Sequence, residues 1–108
     1  MTDAEKYAEF MAKTRDDTAT PIWQGIPLHM QDALAGYLLY GHRVGHFLTA
    51  LLSNDLKEAV ARADDTNVVL FREYMMFLYN RAPGDCFGSP QAHAAWLAQG
   101  GLMGREQE

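Results

Sequence analysis

Punctuation is the strongest constraint on this chain. Apolar residues recur at helical spacing, and each run is soon cut by glycine, proline or a cluster of Ser, Asn and Asp. No segment alternates apolar and polar residues between hairpin turns, as a half-buried strand would. A chain written this way buries its apolar stripes by laying short helices against one another. The expected fold is all-α: a single-domain bundle of five to six short helices with negligible strand. At 108 residues it has the length of one domain with one core.

The pattern places the elements. A first helix is predicted over residues 3–15, capped by Thr2 or Asp3, with Tyr7, Phe10 and Met11 on one side. Residues 16–27 form a linker with two prolines, and its Trp23 is expected to plug onto the main body. A second helix over 28–40 carries Met30, Ala33, Leu34, Tyr37 and Leu38 at i, i+3, i+4, i+7 and i+8, with Gln31, Asp32 and Gly36 on its other face. Gly41 then stands where a C-terminal glycine cap belongs. A third helix over 44–52 is apolar nearly all round and takes the centre of the fold.

Ser53, Asn54 and Asp55 end it, and Asp55 with Glu58 resembles a capping box for a fourth helix over 56–63. A second polar break at residues 64–67 leads into a fifth helix over 66–80. There Val68, Phe71, Met75 and Leu78 form one stripe, and Leu70, Tyr74 and Phe77 a second. So wide a face implies burial on two sides, between helices or in a homo-oligomer. Ser89 and Pro90 open a sixth helix that stops at Gly100 and Gly101. The single domain, 1–108, thus divides into a helix and Pro-containing linker over 1–25, a core bundle over 26–100 and a frayed tail over 101–108.

Charge and cysteine usage narrow the function. Nine Lys and Arg against fourteen Asp and Glu leave a net charge of −5. That disfavours a long nucleic-acid backbone, which needs a basic face, and an anionic membrane surface. Residues 18–104 carry five basic against seven acidic groups, so a pocket where one or two arginines meet a small phosphate stays open. The single cysteine, Cys86, forms no intramolecular disulfide and no multi-cysteine zinc site. The first residues lack an apolar leader, and no apolar run approaches the roughly 18 residues of a membrane span. A reduced, cytoplasmic setting is expected.

Few residues carry chemistry. His42 and His46 have the i, i+4 spacing of a helical metal pair. Gly41 and Gly45 bracket them, and no further ligand stands in the segment, so no metal is expected. Cys86 and His93 could pair as thiol and imidazole, but Asp85 beside the thiol would raise its pKa. Ser53, Thr49 and Thr66 have no nucleophile elbow, and no phosphate-binding glycine loop is present. Neither an enzyme nor a cofactor is expected.

The richest cluster is polar: Asn54, Asp55, Arg62, Asp64 and Asn67, gathered near two helix starts. Capping accounts for much of it, since helix starts favour these residues. The surplus over one cap per break points to a ligand, with Arg62 or Arg43 meeting phosphate and Tyr40 stacking on a base. Arg43, Arg72 and Arg81 could also form an aromatic–guanidinium surface with Tyr40, Tyr74 and Tyr79.

Within this region the segment Phe47-Leu48-Thr49-Ala50, then Ser53-Asn54-Asp55-Leu56, Arg62-Ala63-Asp64 and Asn67 resembles a pattern in a family of small uncharacterised proteins of tailed phages and prophages. Tyr79-Asn80, Ala82-Pro83, Cys86 and Gly88-Ser89, with Trp96 beyond, match a later element of it. The resemblance covers roughly residues 26–97. The chain departs from it at His42 and His46, where Pro, Ser or Gly are frequent, and at Phe87, where Trp is common.

The resemblance implies a small phage product in the bacterial host cytoplasm, one that counters a host anti-phage function by binding. It would sequester a nucleotide-type immune signal or, alternatively, inhibit a host protein through its acidic helical surface. A small hydrolase is the third reading.

Overall fold

The computed structural model describes residues 3–14, 23 and 25–106. Among them the fold is all-α, with eight helices: α1 (Asp3–Thr14), α2 (Leu28–Tyr40), α3 (His46–Leu52), α4 (Leu56–Arg62), α5 (Asp65–Val68), α6 (Phe71–Arg81), α7 (Pro90–Gln99) and α8 (Gly101–Glu106). A 3₁₀ turn, Gly84–Cys86, joins α6 to α7. The expected cap at Thr2 or Asp3, the packing of Tyr7 and Phe10, and the linker at 16–22 lie outside the described residues. The radius of gyration, 13.1 Å, is what about 100 residues in one globule require. No described helix is long and apolar enough to cross a membrane.

Helix α2 is the centre of the bundle. Leu34, Tyr37 and Leu38 are buried as their spacing predicts, and so are Gln31 and Leu39 on the face expected to be polar. The correction has a tertiary cause: α1 and α8 both pack against α2, so it is covered on more than one side. α3 inserts Phe47, Leu48, Ala50, Leu51 and Leu52 into the same core. Trp23 is fully buried and stacks on Phe77 of α6 at 5.1 Å between ring centroids.

The first, third and fourth helices end within one or two residues of expectation, and two regions differ more. The predicted helix over 66–80 is broken into α5 and α6 by a turn at Val69 and Leu70, with the Leu70 N–H donating to the Asn67 carbonyl at 3.0 Å. Two consecutive β-branched residues, Val68 and Val69, weaken the helix there. The break accompanies a buried hydrogen bond from the Tyr74 hydroxyl to Asn67 Oδ1, 2.6 Å long. Residues 101–106, expected to fray, form α8 and dock on α2. Glycine makes that docking possible. A Cβ on Gly101 would lie 2.6 Å from the Gly41 nitrogen and from the Leu39 carbonyl carbon, and both glycines have left-handed φ, 70° and 68°. The two backbones therefore touch where any side chain would hold them apart.

Candidate functional site

The break between α3 and α4 is built from backbone demands first. Asn54 has φ 60°, the left-handed conformation that closes a helix. Its N–H donates to the Leu51 carbonyl at 3.1 Å, and the Asp55 N–H to the Ala50 carbonyl at 2.9 Å, the paired bonds of a Schellman closure. Asp55 at once opens α4, its carboxylate accepting from the Glu58 N–H at 3.3 Å. At the next break Asp64 does the same for α5, accepting from the Asn67 N–H at 2.7 Å. These caps account for the backbone role of Asn54, Asp55 and Asp64.

Each residue of the expected ligand cluster can then be placed. Asn67 is buried, and its side chain serves Tyr74 rather than a ligand. Asp55 and Arg62 line one depression of about 280 Å³. His46, Thr49, Ser53 and Glu58 join them there, and Pro90 closes one side. Arg62 is held at 3.4 Å by Glu58, both side chains about half exposed. Asn54 and Asp55 also border a second depression of about 190 Å³, whose remaining walls are apolar: Leu51, Leu56, Ala59, Phe71 and Met75.

Arg43 and Tyr40 stand elsewhere. Arg43 borders a surface hollow with Gly41, Ala94, Leu97 and Ala98. Tyr40 stacks on His42 at 5.3 Å and lines a groove between α1 and α2. Neither shares a depression with Arg62. The expected aromatic–guanidinium surface also loses a member, because Tyr74 is buried. His42 lies in the extended segment before α3 and His46 begins that helix, so the two do not share a helical face.

Sequence reasoning missed His46, Thr49 and Glu58 as neighbours of Arg62. The signal was present as spacing: 46, 49 and 53 share a face of α3, and 55, 58 and 62 a face of α4. It also missed how exposed α4 is. That helix buries only Ala59 among its residues, while Leu56 is 66% and Val60 49% exposed. Beyond it Val69 is 73% exposed.

The buried polar groups lie at the opposite extreme. The Tyr37 hydroxyl donates to the Cys86 carbonyl at 2.6 Å and meets His93 Nδ1 at 3.0 Å. A phenol has one proton, and it goes to the carbonyl. The imidazole must therefore donate, which fixes His93 with its proton on Nδ1. Burial lowers the His93 pKa from its usual value. Burial, reinforced by Asp85, pushes the Cys86 thiol up to about 12, so the sulfur stays protonated and unreactive at neutral pH. The Trp96 indole donates to the Tyr37 carbonyl at 2.9 Å, which also accepts from the Gly41 N–H. These groups hold α2, α7 and the 3₁₀ turn together.

No group of three or more His, Cys, Asp and Glu able to hold a metal occurs among the described residues. Comparison of the chain with protein-family models, with characterised proteins and with solved structures finds no match.

Proposed function

We propose that this chain is a phage or prophage accessory protein that counters a host function by binding a host protein through the segment from α4 to Val69. The observation that carries the reading is the exposed apolar face of α4. A helix whose own fold buries one alanine, and which leaves Leu56 and Val60 outside, is poorly used by its own core. An apolar depression floored by Leu51, Phe71 and Met75 lies beside Leu56 and would receive a partner's side chain. Asp55, Glu58, Asp64 and Asp65 against Lys57 and Arg62 give the segment an acidic rim, which favours a basic partner. The resemblance to phage proteins supplies the setting in a bacterial host.

The test is capture from a bacterial lysate with immobilised protein, followed by identification of what is retained. The expected result is one specific protein, lost when Leu56→Glu and Val60→Glu are combined, while the circular dichroism spectrum is unchanged. Retention of the same protein by the double variant would move the surface elsewhere.

Sequestration of a nucleotide-type signal is the second reading. It is favoured by the convergence of Arg62, Ser53 and Thr49 on one depression. It is weakened by Asp55 and Glu58 in the same walls, whose charge opposes phosphate. Denaturing the purified protein and examining the released small molecules separates the two readings: a nucleotide near one per chain, lost in Arg62→Ala, would favour this one. Self-association belongs to the proposal as well. It would use Val68, Val69 and Tyr79, since Tyr74, Phe77 and Leu78 of α6 are already buried. A monomer mass of 12.1 kDa by light scattering would remove it.

A further inference from the structure

The depression beside Leu56 is a cleft between two helices. Leu56 and Ala59 of α4 line one side, Phe71 and Met75 of α6 the other, and Leu51 of α3 the bottom. Its volume is about 190 Å³. Pockets for whole small molecules begin at roughly 300 Å³, so this one suits a single aliphatic or aromatic side chain. The apolar groups that an occupant can reach are the exposed Leu56 and the partly buried Phe71 and Met75. Val60, also exposed, stands one turn beyond Leu56 on the same face of α4 and prolongs the apolar strip.

The form of the occupant follows from the walls. An added strand needs a sheet edge, and the described residues contain no strand. A polyproline segment needs an aromatic-lined groove, and Phe71 is the only ring among the described residues of the walls. An amphipathic helix needs an apolar cleft that accepts side chains spaced i, i+3 and i+4, and α4 and α6 supply one.

Charge sets its composition. Asn54 and Asp55 border the cleft. Asp55 Oδ1 accepts from the Glu58 N–H, and the carboxylate is in no ion pair among the described residues. Over residues 53–69 four carboxylates stand against two cations, Lys57 and Arg62, and Arg62 is already held by Glu58. A cation brought in beside the apolar anchor finds a carboxylate there, whereas an anion is repelled.

We infer that the cleft between α4 and α6 receives a basic amphipathic helix of the partner. That helix inserts one side chain of leucine or phenylalanine size between Leu56 and Met75, and sets a Lys or Arg one turn away against Asp55. The inference rests on the reading of α4 as the docking surface and adds the partner's chemistry to it.

The probe is a synthetic leucine–lysine peptide of about 18 residues, written as an amphipathic helix. One control scrambles it so that the leucines share no face, and a second replaces lysine by glutamate. Each is titrated into the full chain while the methionine methyl resonances are followed by NMR. Met75 reports from the cleft wall, and Met30 on α2 serves as a reference. The expected result is a saturable shift of Met75 with the lysine helix, at least tenfold weaker binding of the scrambled peptide, and no shift with the glutamate peptide. Leu56→Glu, at an exposed position where folding is not at stake, should abolish the shift. Asp55→Asn keeps an N-cap and removes the charge, and should weaken binding about twofold to fivefold. Any of three outcomes overturns the inference: no Met75 shift, equal binding of the scrambled peptide, or unchanged binding by the Leu56→Glu protein. The docking reading fails separately. A host protein that the lysate experiment retains through Leu56 and Val60, beside a cleft that ignores the lysine helix, overturns the partner's chemistry and leaves the surface in place.

Discussion

The junction of α2 with α7 and the segment from Ser53 to Val69 both mix polar and apolar residues and meet opposite fates. At the junction, polar groups are buried and each is answered: Tyr37 by Cys86 and His93, Trp96 by the Tyr37 carbonyl. Along the segment, Asp55 and Asp64 are spent on caps at the surface, Asn67 turns inward to Tyr74, and Leu56, Val60, Val68 and Val69 stay outside. The contrast teaches where each region's sequence is answerable. Residues at the junction are fixed by the fold, while those of α4 other than Ala59 are left exposed at the surface.

The comparison can be broken by mutation. Trp96→Ala should produce the largest loss, about 3–5 kcal/mol in urea unfolding, because it removes a fully buried ring and the hydrogen bond that its indole gives the Tyr37 carbonyl. A loss below about 1 kcal/mol would show that the junction is not the stabilising centre. Gly101→Ala should cost about 2 kcal/mol or more, since the new methyl meets the backbone of α2 at a left-handed φ. Its thermal unfolding should fall accordingly, with α8 the first element to lose amide protection in hydrogen exchange.

Acid sharpens the contrast. Burial depresses the His93 pKa, so the unfolded chain binds a proton there more readily than the folded one. The stability His93 contributes is complete above its usual pKa of about 6.5 and is lost as pH falls from there through the folded value. Stability measured from about pH 7.5 down to about 5.5 should decline less steeply in His93→Gln, which cannot titrate but can still donate to Tyr37. An identical slope in both proteins would remove His93 from the acid response. The smallest effect belongs to the other region. Leu56→Ser should change stability by no more than about 0.5 kcal/mol, as an exposed substitution does. A larger cost would mean that α4 is anchored by its apolar face after all.

How much of this was written in the sequence varies with the reach of the interaction. Caps are local, so Asp55 before α4, Ser89 and Pro90 before α7, and Gly41 after α2 could be read directly. The burial of Gln31 could not, because it depends on α1 and α8 covering a face that looks polar when α2 is read by itself. α8 was hidden by its own glycines. Read locally Gly100 and Gly101 stop a helix; in three dimensions they let two backbones meet. Asn67 is the intermediate case. It stands seven residues before Tyr74, a spacing that shares a helical face, yet the turn between them had to form before the amide could reach the hydroxyl. Of the expected ligand cluster, Asp55 and Arg62 come together, whereas Asn67, Tyr40 and Arg43 go elsewhere.

The contacts that α7 and α8 make with α2 also set a timetable. The indole of Trp96 and the carbonyl of Tyr37 are 59 residues apart, and the glycine contact spans a similar length of chain. During synthesis α2 leaves the ribosome long before either partner exists, with the Tyr37 side chain and the backbone from Leu39 to Gly41 uncovered. Folding of the bundle therefore waits for residues 93–101 to emerge, and until then the nascent chain is a client for whatever shields apolar helices. A force-sensitive arrest sequence joined through a linker long enough to bring residue 106 out of the ribosome should register folding, and one joined so that residue 93 is still inside should register none.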